Sequence, residues 1–91
     1  MNGIAVRIAP VQREELVVVV RRVRGLGFRA ALPAGEVVEA RNITELHERV
    51  RQAIDPAFLR AEGVTALRLE FTVRRRDGLP VCWRTDVLAL D

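Results

Sequence analysis

The stretch ARNITELHERVRQAIDP, Ala40 to Pro56, decides how the rest of the chain is read. Ile43, Leu46, Val50 and then Ala53 or Ile54 recur at helical spacing and draw a single apolar stripe. Asn42 stands where an N-cap belongs, and Glu45, three residues on, completes an N-x-x-E capping pattern. Glu45 and Glu48 come early and Arg49 and Arg51 late, the order that the helix macrodipole favours. Asp55 precedes Pro56 and so avoids the α region, which ends the helix. The same Asp55-Pro56 pair opens a second, short helix, PAFLRAE, that Gly63 closes.

On the N-terminal side the pattern becomes that of strands. EVVEA is a short strand, and Pro33, Ala34 and Gly35 separate it from FRAAL, Phe28 to Leu32. RGLG supplies turn glycines before that strand. LVVVVRRV, Leu16 to Val23, is β-branched and apolar for five residues in succession, which predicts a central strand. Ile4, Val6 and Ile8 alternate with smaller or charged residues and read as a further, half-buried strand closed by Pro10.

On the C-terminal side a hairpin is expected. Leu67, Leu69, Phe71 and Val73 alternate with Arg68, Glu70, Thr72 and Arg74. Val81, Trp83, Thr85 and Val87 alternate with Cys82, Arg84, Asp86 and Leu88 on the return. A two-residue Asp77-Gly78 loop would set Phe71 against Arg84. A three-residue loop Arg76-Asp77-Gly78, with Gly78 left-handed, instead pairs Val73 with Val81 and Phe71 with Trp83. The expected fold is therefore α+β, a single domain over residues 1–91. Its sheet is antiparallel, with about five to six strands in the order β-β-β-β-α-β-β and one main helix on one face.

Composition narrows the function. All 15 basic residues are Arg, against 12 carboxylates, for a net charge of +3. That balance suits a mildly basic surface, nucleic acid or an acidic partner. One cysteine, Cys82, excludes an intrachain disulfide and a cysteine-rich metal site, as suits the cytoplasm. The N-terminus lacks a signal-peptide layout, and LVVVV is far too short to span a membrane. The chain is expected to be soluble and cytoplasmic, without a membrane partner.

Catalysis finds little to work with. His47, the only histidine, has no second His or Cys pair for a metal, and the chain has no serine. It reads as a partly exposed helix residue, at most an edge contact for a partner together with Arg51. Cys82 has no Cys-x-x-Cys motif or neighbouring His. Glu70, Asp86, Arg68 and Arg84 are expected on one sheet face as cross-strand ion pairs. No catalytic, metal or cofactor-binding residue is expected, and the chain is not read as an enzyme. Two arginine clusters stand out: Arg21, Arg22 and Arg24 before one turn, and Arg74, Arg75 and Arg76 at the hairpin tip. If those turns share one end of the sheet, six guanidiniums meet an anionic partner such as RNA. Against that, no stacking aromatic is interleaved with them in the sequence.

LVVVVRRVRGLGFRAALPAGEVVEARNITELHERVRQAI, Leu16 to Ile54, resembles the small HicB-like antitoxin domain. The resemblance lies in Gly27 before the Phe28 strand, in Leu32-Pro33 with Gly35, and in Asn42-x-x-Glu45 opening a helix that ends at Ala53-Ile54. The chain departs from that family in its extra N-terminal strand, in lacking a proline-glycine-cysteine consensus, and in ending on a hairpin where many members carry a DNA-binding segment. The resemblance implies a partial RNase H-like fold and homodimerisation. It also implies neutralisation of a small basic ribonuclease toxin by covering its active surface.

Overall fold

The aliphatic run expected at the centre of the sheet is there, slightly extended, as β1, Glu14–Val23. The structure, a computed structural model, describes residues 14–90, so the expected strand over Ile4 to Ile8 lies outside the described residues. After β1 come β2 (Gly27–Ala31), β3 (Val37–Ala40), α1 (Ile43–Ala53), α2 (Pro56–Ala61), β4 (Val64–Arg74) and β5 (Pro80–Ala89). The described residues are thus α+β, with a five-stranded sheet in the order β3-β2-β1-β4-β5.

Both helices begin as their sequences dictate. The Asn42 side chain accepts the Glu45 N–H at 2.8 Å, and Glu45 Oε1 accepts the Arg41 N–H at 2.8 Å, closing the capping box. Asp55 accepts the N–H groups of Ala57 and Phe58 at the start of α2. The stripe of α1 turns Leu46 and Val50 wholly inward. They meet Val18, Val20, Phe28, Ala30, Leu67, Leu69 and Phe71 from one face of the sheet, in one core. The other face is open, and Val17, Val19, Val37 and Val87 are exposed on it.

The sheet is not antiparallel throughout. β1 and β4 run parallel, with Val18 beside Leu69, Val20 beside Phe71 and Arg21 beside Thr72. The reason is the helix. β1, β2 and β3 form a meander, so β3 points the same way as β1. α1 then carries the chain back along the sheet, and β4 has to start at the end where β1 started.

The hairpin corrects a second expectation. Its tip is the three-residue loop: Arg75 N–H donates to the Leu79 carbonyl at 2.9 Å, and Gly78 has φ 85°. Val73 accordingly faces Val81 and Thr72 faces Cys82. The register then slips, and Phe71 faces Arg84 rather than Trp83. Trp83 is the extra residue of a β-bulge, and from there on the two faces of β5 are exchanged. Leu88 is therefore buried and Val87 exposed. Arg84 and Asp86 move to the helix side, away from Arg68 and Glu70. Arg68 pairs instead with Glu15 of β1 at 2.8 Å. The expected cluster of four charges on one face does not form.

Candidate functional site

Parallel pairing decides what the two arginine clusters can do. β1 and β4 point the same way and are in register, so their following turns leave the sheet at the same end. The β1–β2 turn closes with Leu26 N–H on the Val23 carbonyl at 3.1 Å, around Gly25 with φ 77°. Arg21, Arg22 and Arg24 approach it from β1, and Arg74, Arg75 and Arg76 stand at the β4–β5 tip. All six are exposed. The sequence condition for a shared basic end is met.

Their pairing differs from that of the other arginines. Among the described residues Arg29, Arg41, Arg49, Arg68, Arg75 and Arg84 each reach a carboxylate. Arg51 and Arg60 donate to the backbone carbonyls of Ala89 and Leu90. Arg21, Arg22, Arg24, Arg74 and Arg76 have no ion pair among the described residues. Those five lie together at this end. At the other end, where β1 starts, Glu36 and Asp55 share an apolar groove with Leu16, and Arg51 and Arg60 reach the Ala89 and Leu90 carbonyls.

An aromatic ring completes the basic end, and it was not visible in the sequence. Because of the bulge, Trp83 and Arg84 both lie against Phe71, at 5.6 Å between ring centroids and 5.7 Å from guanidinium to ring. The indole remains 45% exposed. The Arg22 guanidinium sits 5.7 Å from the Phe28 ring and 5.9 Å from Trp83, a cation–π bridge between β1, β2 and β5. Two grooves flank the end. One, of about 410 Å³, is lined in part by Arg22, Arg24, Phe28 and Arg41. The other, of about 420 Å³, lies by the open face and is lined in part by Val19, Arg21, Thr72 and Arg74.

His47 and Arg51 prove to be tied down. The His47 Nε2 is 2.8 Å from Asp86 Oδ2, and Arg84 Nε donates to Asp86 Oδ1 at 2.9 Å. Arg51 donates to the Ala89 carbonyl at 3.1 Å. Both residues therefore tether α1 to β5. Cys82 is exposed, and its Sγ lies 3.3 Å from the Arg84 carbonyl. Among the described residues no group of three or more His, Cys, Asp or Glu side chains is placed to hold a metal ion. No helix there is long and apolar enough to cross a membrane. No family model, curated protein or solved structure compared with the chain matches it.

Asp86 carries a pH dependence. Burial pushes its carboxyl up, but the Arg84 and His47 hydrogen bonds outweigh that and hold it below the ordinary carboxylate value. A carboxyl depressed in the folded state stabilises the fold above its unfolded pKa. That contribution is lost as pH falls through the folded one. Stability is therefore expected to decline below about pH 4. In Asp86→Asn the decline should be shallower, by urea midpoints at about pH 7 and about pH 3. Some slope remains, because the Arg41 N–H holds Glu45 low as well. An unchanged slope in Asp86→Asn would show that this triad does not contribute.

Proposed function

We propose that the chain is a non-catalytic interaction domain of HicB type, which neutralises a small basic ribonuclease by covering its active surface. The observation that carries this reading is the succession of elements from Leu16 to Ile54. A strand, a glycine turn, a strand followed by Leu32-Pro33 and a short third strand lead to a capped helix. Gly27 supports it physically. Its φ of 125° and its contact with the backbone of Ala40 and Arg41 call for glycine where β3 hands over to α1. The same resemblance proposes a homodimer, and the lone cysteine suits a place in the cytoplasm.

Co-expression with the small ribonuclease of its own host tests the proposal. Growth should be restored, and the two chains should co-elute in a fixed ratio at a mass that includes two copies of this one. Unrelieved toxicity at a severalfold excess of this chain, with no co-elution, contradicts it.

A further inference from the structure

We propose that the sheet end formed by the β1–β2 and β4–β5 turns binds single-stranded nucleic acid. Trp83 would be its base-stacking platform, and Arg21, Arg22, Arg24, Arg74 and Arg76 its phosphate contacts. Such a site would serve whether or not the chain also covers a ribonuclease.

Charge is the first reason. The five guanidiniums with neither an ion pair nor a side-chain hydrogen bond among the described residues are the ones that this end collects, whereas Arg51 and Arg60, also without a carboxylate, donate to the Ala89 and Leu90 carbonyls. A guanidinium left without a carboxylate keeps its fork of donors for a phosphate. The parallel register brings the two clusters together. An anionic polymer approaching the molecule is drawn to this cluster.

Shape is the second. Arg21, Arg22 and Arg74 outnumber the single carboxylate, Glu70, in a groove by the open face, while Arg22, Arg24 and Arg41 line one between the β1–β2 turn and the start of α1. A flexible chain carrying a charge at every unit can pass from one groove to the other around the sheet end. A rigid duplex cannot follow that path.

Trp83 is the third and the most discriminating. A largely apolar ring, 45% exposed, is held by Phe71, tilted against it, and by the Arg22 guanidinium over it at 5.9 Å, which a stacking base would join or displace. Base faces are available to such a ring only in an unpaired strand, and stacking is indifferent to which base is offered. An acidic peptide would use the guanidiniums but leave the indole without a counterpart.

The chain holds a single tryptophan, so its own fluorescence reports on the platform. Labelled oligouridylate and oligothymidylate of about 15 nucleotides are the probes, read by anisotropy and by Trp83 emission. Binding should quench that emission. With about five phosphate contacts, affinity should fall roughly a hundredfold between about 50 and 200 mM salt. Combining Arg21→Ala, Arg74→Ala and Arg76→Ala should flatten the logarithmic salt slope by about 2. Trp83→Leu should weaken binding about tenfold and leave the salt slope unchanged. Arg29→Ala, whose guanidinium is paired with Glu39 at 2.6 Å, should change neither. Tighter binding of either oligomer supports the proposal and assigns the sugar. No binding at low salt, binding without a change in emission, or a preference for duplex overturns it. Equal displacement by polyglutamate would reassign the end to an acidic protein.

Discussion

Phe71→Ala is expected to lower stability by about 3–5 kcal/mol, a large share of what a domain of this size possesses. The Phe71 ring is completely buried, edge-on to Phe28 at 5.7 Å and beneath Trp83. It lies on the central pair of parallel strands, beside Val20. Truncation removes its apolar burial and leaves a cavity that neighbours on two strands and their bulge cannot all fill. The urea midpoint should drop steeply with little change in slope. Phe58 has the same side chain but is 62% exposed on α2, so Phe58→Ala should stay within about 0.5 kcal/mol of the parent. Similar losses in the two variants would contradict the placement of the core. Phe71→Ala also takes away the seat of Trp83, so nucleic-acid binding should weaken in whatever fraction remains folded.

Gly27→Ala comes next, at roughly 2–5 kcal/mol. Gly27 has φ 125°, a conformation closed to a residue with a Cβ, and an added Cβ would collide with the Ala40 carbonyl oxygen. It would also lie 2.8 Å from the Arg41 Cα, and none of this is a flexible side-chain tip that could move aside. Relief requires separating β2 from the segment that leads into α1. Gly25 provides the control. It too has a positive φ, 77°, but nothing lies within 4 Å of the methyl that alanine would add, so Gly25→Ala should cost about 1 kcal/mol. A melting temperature lower for Gly25→Ala than for Gly27→Ala would contradict this order.

How far the sequence could be read depends on how local each signal is. The cap at Asn42, the stripe of Leu46 and Val50 and the stop at Asp55-Pro56 are interactions within a few residues, and all stand where the pattern puts them. The three-residue hairpin loop is equally local and was legible through Asp77-Gly78. Strand direction was not, because an alternating pattern is the same read either way. Only the return path of α1 makes β4 parallel to β1. The slip at Trp83 was also hidden, since a one-residue bulge leaves the alternation of β5 intact while exchanging its faces. That single slip moves Asp86 under α1, where it meets His47, and stands Trp83 beside Arg22. The arginine clusters were therefore visible as residues, while their shared end and their aromatic neighbour depend on tertiary pairing.

The parallel pairing of β1 with β4 is what joins the two clusters, and nuclear Overhauser contacts between the strands test it most directly. A parallel ladder is expected, in which Val18 meets Leu69, Val20 meets Phe71 and Arg21 meets Thr72, with partner numbers rising together. A ladder in which the partner of each successive β1 residue falls in number would make the pair antiparallel. It would send the two arginine turns to opposite ends of the sheet and contradict the shared basic end.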